Sequence, residues 1–214
     1  MTNRASAFCA FLSAQLPAPP LRVLEVGCGR GELAQALAER GFEVVAIDPA
    51  APDGPIFRQV GLEDFSDPRG FEAVVASVSL HHIEDLAGAV DKIASFLPQG
   101  GILALEEFAK ERLAGTTALW YYHQRRALVA ARREDAVSDD FEEWKRQSKA
   151  ERADIHSVSE IRIALERRFA ERFFKWTPYL YSHRLDDALE PIERRLIAEG
   201  AIDAAGVWYV GERL

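Results

Sequence analysis

Cysteine is nearly missing from this sequence. There are two, Cys9 and Cys28. Neither has a Cys or His neighbour at metal-ligand spacing, which excludes a disulfide framework and a zinc signature and predicts no metal. A reducing, cytoplasmic compartment fits that usage. No apolar run approaches the ~18 residues of a membrane span. The first twenty residues, MTNRASAFCAFLSAQLPAPP, start polar and hold only a short apolar stretch. They read poorly as a signal peptide and better as an amphipathic helix, with Phe8, Phe11 and Leu12 on one side and PAPP ending it. Positive charge is also short: 26 Lys and Arg face 34 Asp and Glu, for a net charge of −8. Non-specific nucleic-acid binding is disfavoured on electrostatic grounds. The local basic run HQRRALVAARR reads as a solvated helix face. There is no internal repeat and no low-complexity tract.

What is present is an alternation. A chain of 214 residues suits one domain with one good core, spanning residues 1–214. Its first half alternates apolar runs with helical patterns, as a parallel α/β sheet does. LRVLEV, FEVVAI, PIFRQV, FEAVVASVSL and GILALEEF read as strands. Glu32 to Arg40 and DLAGAVDKIASFL read as helices, with Gly41 at the C′ position of the first. The second half is richer in helix. Thr116 to Lys149 reads as one or two long helices with a break near VSDD. SVSE, Ser157 to Glu160, is a capping box that opens a helix through Ile161, Leu165 and Phe169. ERFFKWTPYLY is strand-like, DALEPIERRLIAEG is a helix ending at Gly200, and GVWYVGERL is a last strand. Residues 109–156 read as a helical insertion, or lid, over one face of the sheet.

Three glycines at alternate positions, Gly27, Gly29 and Gly31, follow the first strand and precede a helix. Such a turn lets a ligand approach bare backbone near a helix N-terminus. The dinucleotide fingerprint G-x-G-x-x-G fails here, because Glu32 stands where its third glycine would be. A carboxylate there would repel a pyrophosphate. The Walker pattern is absent too. Asp48 ends the second strand ~20 residues past the first glycine, where a carboxylate accepts hydrogen bonds from both ribose hydroxyls. Glu25, inside the first strand, adds negative charge suited to a cationic group. The ligand therefore carries a ribose and a cationic part, and no pyrophosphate.

LEVGCGRG, VVAIDPA, FEAVVASVSLHHI and LPQGGILALEEF, in this order, resemble the motifs of the class I S-adenosylmethionine-dependent methyltransferases over about Leu21 to Phe108. The resemblance implies a doubly wound, mostly parallel seven-stranded Rossmann-like sheet, its last strands supplied by ERFFKWTPYLY and GVWYVGERL. It implies S-adenosylmethionine as cofactor, with contacts from Glu25, Gly27, Cys28, Gly29, Gly31, Asp48, Pro49, Leu62, Glu63, Ser77 and Val78. Three departures are visible, one of them Gln99 in LPQGG, where the family usually has PGG preceded by a basic residue, in a turn read as structural. The short, proline-rich PAAPDGPIF replaces the family's usual helix after Asp48 with a turn. Gly61 stands where the family often has an adenine-binding acid, leaving Glu63, Asp64 or the Leu62 backbone for that task.

Methyl transfer needs a positioned acceptor and, for a protonated nucleophile, a base. His81 and His82 follow the fourth strand at its C-terminal end, where ligands of open α/β sheets bind. Either could be a base near neutral pH or only tie down the loop. Glu106 and Glu107 end the fifth strand on alternate sides, so one is expected in the cleft, and Glu107 is the candidate. His123 shares a helix face with Trp120 in the aromatic cluster TTALWYYHQRR, read as an aromatic lid or as core packing. His156 could face the same cavity or bond locally. These features favour a small-molecule acceptor, with O-methylation ahead of N- or C-methylation, no nucleic-acid or membrane partner, and a monomer or homodimer. The alternatives are a non-catalytic S-adenosylmethionine-binding regulator and a nicotinamide oxidoreductase, the latter opposed by Glu32.

Overall fold

The first apolar run, RVLEV, is buried at all five positions, and that decides where it goes. A strand with no polar face needs cover on both sides, which a parallel sheet flanked by helices supplies. In the computed structural model, which describes residues 3–131 and 136–214, this run is β1 (Arg22–Val26) near the middle of a seven-stranded sheet. The other strands are β2 (Glu43–Asp48), β3 (Phe57–Gln59), β4 (Ala73–Ser77), β5 (Ile102–Phe108), β6 (Phe169–Thr177) and β7 (Gly206–Arg213). Their order is β3-β2-β1-β4-β5-β7-β6. Strands β1 to β5 are mutually parallel. β7 runs antiparallel between β5 and β6.

Alternation along the strands divides the core into two layers. Val23, Val44, Ala46, Val75 and Ala104 face helices α1 (Asn3–Gln15) and α2 (Glu32–Glu39), which contribute Phe8, Leu12, Leu33 and Leu37. Leu24, Ile47, Val74, Leu103 and Leu105 face α3 (Leu86–Phe96) and α6 (Val158–Leu165), which contribute Val90, Ile93, Ile161 and Leu165. Each fully buried Leu or Ile contributes about 1.5–3 kcal/mol of transfer free energy. A third cluster lies beyond the ends of β4 and β5. There α4 (Gly115–Ala130) and α5 (Phe141–Ala150) bring Tyr121, Tyr122 and Trp144 against Phe108, Tyr179 and Leu180. No helix among the described residues is long and apolar enough to cross a membrane.

The structure corrects several sequence boundaries. β4 stops at Ser77, because Val78 takes a left-handed φ of 57° that no strand accommodates. α6 ends at Leu165, and Phe169 opens β6 instead, paired with Arg213 and buried in the sheet core. The stretch 116–149 is two helices, α4 and α5, and residues 132–135 of the basic run lie outside the described residues. The reading of PAAPDGPIF as a turn holds, since no helix separates β2 from β3. The capping box at Ser157 is complete, with the Ser157 side chain accepting from the Glu160 N–H and the Glu160 carboxylate accepting from the Ser157 N–H.

The strand expected to run through YLY ends at Thr177, and Leu180–Ser182 form a short 3-10 turn. Its cause is Glu193 of α7 (Glu190–Ala198), which is fully buried. Its carboxylate accepts the backbone N–H groups of Tyr179, Leu180 and Tyr181 at 2.9, 3.0 and 2.6 Å. Glu193→Ala leaves those buried donors unpaired and is expected to cost about 3 kcal/mol or more. Urea unfolding followed by circular dichroism checks this; a stability within ~0.5 kcal/mol of the parent would show that the turn stands without the carboxylate.

Candidate functional site

The C-terminal ends of β1, β2 and β4 open into a cleft of about 710 Å³. Parallel topology makes this crevice, because the chain reverses direction of winding at β1 and leaves the loops after β1 and β4 apart. The loop after β1 carries left-handed φ at Gly27, Gly29 and Gly31. Two of these are enforced by neighbours: a Cβ on Gly27 would strike the Ser79 side chain, and one on Gly31 would strike the Phe57 ring. A Cβ on Gly29 would meet no protein atom; what it would fill is the cleft. The loop is anchored to β2 by Gly27 and Cys28, whose N–H groups both donate to the Ile47 carbonyl at 2.9 and 3.1 Å.

Asp48 is held in orientation before any ligand arrives. One carboxylate oxygen accepts from the Gly29 N–H at 3.0 Å, the other from the Ala50 N–H at 2.8 Å. Its remaining lone pairs are available to a vicinal diol. Glu25 is 2% exposed, and its Oε2 has no hydrogen-bond partner. Burial pushes its pKa up to about 8; the Ala34 N–H works against this and the Asp48 charge adds to it. A buried carboxylate with an orphaned oxygen at the floor of a cleft is incomplete without a donor or cation. Cys28 beside it is held as a neutral thiol, its pKa raised to about 12 by burial first and then by Glu25 and Asp48.

The loop after β4 forms the opposite wall, with Ser77, Val78, Ser79 and His82 lining the cleft. Ser79 Oγ donates to the Val26 carbonyl at 2.9 Å. Behind the loop stands Glu107. Its Oε1 accepts from the Ser79 and Leu80 N–H groups at 3.2 and 2.7 Å, and its Oε2 meets His81 Nδ1 at 2.5 Å. His156 completes the frame: its N–H donates to the His81 carbonyl at 2.8 Å and its Nε2 bonds the Ile83 carbonyl at 2.9 Å. His81 and Glu107 are therefore buried partners of each other and do not line the cleft. His82 does, and is exposed. Partial burial and the neighbouring His81 hold its pKa below the usual imidazole value.

The remaining sequence candidates divide. Pro49, Leu62 and Glu63 line the cleft. The Glu63 carboxylate folds against Gly61. Gly31 sits behind the loop as the N-cap of α2, outside the lining. His123 is exposed on α4, its ring 5.4 Å from that of Tyr122, and also outside the lining. Two participants escaped the sequence reading. Ser79 fixes Gly27, as described. Arg4 of α1 lines the cleft and reaches Glu106, which is 3% exposed and also bonds Ser77 Oγ at 2.9 Å and Trp208 Nε1 at 3.2 Å. Arg4 lies one turn before Phe8 and two before Leu12, on the buried stripe of α1. A cation on an apolar stripe was the available signal, since it requires a buried carboxylate partner.

Comparison with known proteins agrees with this geometry. A family profile described as a methyltransferase domain matches residues 1–168. An uncharacterized methyltransferase of Mycobacterium bovis is 34% identical over 127 residues, covering 52% of this chain and 62% of that protein. A ubiquinone biosynthesis O-methyltransferase of Xylella fastidiosa is 36% identical over 108 residues, 44% of each chain. The match thus spans less than two thirds of these relatives. Among solved structures, an S-adenosylmethionine-dependent methyltransferase from Mesorhizobium loti superposes with a TM-score of 0.60 at 18% identity, covering 95% of this chain and 96% of that one. The N-methyltransferase NodS of Bradyrhizobium japonicum, in complex with S-adenosyl-L-homocysteine, gives 0.58 at 12% identity, covering 98% and 85%. With the profile spanning most of its length, the chain belongs to the class I S-adenosylmethionine-dependent methyltransferases.

Proposed function

We propose that this methyltransferase methylates a small-molecule acceptor, oxygen being the favoured atom. The observation that carries the proposal is the donor set of the cleft: an open glycine position, an oriented Asp48 and an orphaned Glu25 oxygen. These residues suit a ribose and a cation and offer nothing to a pyrophosphate. Asp48 would hold the ribose hydroxyls, the backbone around Gly27 and Gly29 would admit the methionine portion, and Leu62 and Glu63 border the space left for adenine. Bound there, S-adenosylmethionine supplies an electrophilic methyl group on a sulfonium. The preference for oxygen rests on the resemblance to the Xylella O-methyltransferase over 44% of the chain.

His82 is the cleft residue able to take a proton from the acceptor. Its lowered pKa keeps the imidazole neutral at pH 7, so it accepts rather than donates. His81 and Glu107 act behind it as positioning residues. The α4–α5 pair reads as the lid: its aromatic cluster packs on Val78, at the cleft's rim, and would exclude water from the acceptor side.

Calorimetric titration with S-adenosylmethionine, S-adenosylhomocysteine and NAD is the first test. Binding of the two sulfur ligands without NAD is expected; NAD binding in their place would overturn the assignment. Asp48→Ala should weaken S-adenosylhomocysteine binding by about 1.5–3 kcal/mol, the cost of hydrogen bonds to a charged group. An unchanged affinity would remove the ribose from Asp48. Once an acceptor is found by S-adenosylhomocysteine release, His82→Gln should lower kcat about 10²-fold or more with cofactor affinity intact. Activity in the parent falls as pH drops through the lowered His82 pKa, and the variant should lose that acid limb. If both rate and limb persist, His82 is only a wall.

Glu25 gives a further readout. It is protonated at pH 7 in the free protein, because its pKa lies near 8. A cation placed beside it lowers that pKa, so binding of S-adenosylmethionine at pH 7 releases a proton and strengthens as pH rises toward 8. Calorimetry in buffers of different ionisation enthalpy should find up to one proton released, and none in Glu25→Gln. Equal proton counts for parent and variant would place the cation elsewhere.

A further inference from the structure

A second cavity, of about 760 Å³, lies away from the cleft, between residues 110–114 and the α5 region. Its lining holds five cations, Lys110, Lys145, Arg146, Lys149 and Arg152, against one carboxylate, Glu111. That is a strong local excess in a chain of net charge −8. Elsewhere arginines find acids: Arg22 pairs with Asp67, Arg112 with Asp203, Arg162 with Glu171, Arg168 with Asp91. Within this groove Lys145 does, with Glu142 at 3.3 Å. Among the described residues, Lys110, Arg146, Lys149 and Arg152 have no carboxylate within ion-pair distance. Lys110 Nζ is instead held by the backbone carbonyls of Arg152 and Ile155, and Arg152 by Ser148 Oγ. Both heads are thus held in place by hydrogen bonds.

Two features define what fits. Lys145 and Lys149 are four residues apart on α5, so their charges lie on one face of the helix. Leu113, Ala114, Ala150 and Ala153 give the groove apolar walls. Two guanidiniums and three ammoniums lining one groove suit a phosphate better than a lone carboxylate, and the volume is that of a small-molecule site. We propose that this groove binds an amphiphilic small molecule bearing a phosphate ester, its head among the cations and its apolar body along Leu113 and the alanines. The site is separate from the methyl-transfer reading and stands or falls without it.

The test uses octyl phosphate as probe, below its micelle concentration, against the intact protein. Binding by calorimetry is expected, weakening as salt rises. The double variant Arg146→Glu, Lys149→Glu changes two exposed side chains and should bind the probe at least tenfold more weakly. Circular dichroism and S-adenosylhomocysteine affinity, read on the same variant, report whether the fold and the cleft are intact. Octanol should not bind, since it lacks the anion. Octyl phosphate binding that is absent, or equal in parent and variant, would overturn the proposal. So would retention on phosphatidylglycerol vesicles without binding of the monomer, which would make the patch a membrane contact rather than a pocket.

Discussion

The site depends on one buried carboxylate that does not itself line the cleft. Glu107, at the end of β5, accepts the Ser79 and Leu80 N–H groups and meets the His81 ring. These contacts fix a loop whose first residue, Val78, is already in a left-handed conformation. From that loop Ser79 reaches Val26 and blocks the space above Gly27, so the glycine turn after β1 is set from β5, two strands away. His82 inherits its position from the same anchor. Removing one partner of such a buried, hydrogen-bonded charge leaves the others unsatisfied, at a cost of about 3–5 kcal/mol. The frame is stiff for that reason, and stiffness is what positioning an acceptor within a fraction of an ångström requires.

Its neighbour Glu106 does the complementary task on the other side of the sheet. Successive strand residues point to opposite faces, so two adjacent carboxylates serve two different walls. Glu106 gathers Ser77 of β4, Trp208 of β7 and Arg4 of α1. Burial raises its pKa, and the Arg4 charge pulls it back most strongly. Phe11 stacks on Trp208 at 4.6 Å between centroids, so apolar and ionic contacts pull α1 to the same edge. The first helix thereby becomes a wall of the cleft rather than an appendage to the core.

Periodicity made the sheet legible. RVLEV and EVVAID read as strands from their apolar residues, and the roles proposed for Glu25, within the first, and Asp48, at the end of the second, follow from local pattern. The glycine spacing was readable because positive φ has few other solutions. What stayed hidden were contacts between distant segments. Nothing near Arg4 announces Glu106, 102 residues away. His156 looked like a candidate for the cavity, yet it braces His81 and Ile83 from behind. For His81 and His82 the resemblance favours a structural or cofactor-side role for the second, whereas the turn geometry sends His81 into the core and His82 to the cleft. Phe169 fits the helical spacing of α6 as well as the alternation of β6; pairing with β7 decided between them, a case of tertiary structure overriding local pattern.

Net charge concealed the most. A value of −8 describes an average, whereas recognition responds to the local field. The cleft gathers Glu25, Glu32, Asp48 and Glu63, with Arg4 and Arg30 as its cations, and Arg4 is already paired with Glu106. Glu32, Asp48 and Glu63 make its field favour a cation, the form in which a sulfonium arrives, and Glu25 joins them once a cation displaces its proton. The α5 groove is the opposite, lined by five cations and one carboxylate. The two fields lie on elements joined by a short path: Lys110 holds the carbonyls of Arg152 and Ile155, and His156 next in chain holds His81 and Ile83.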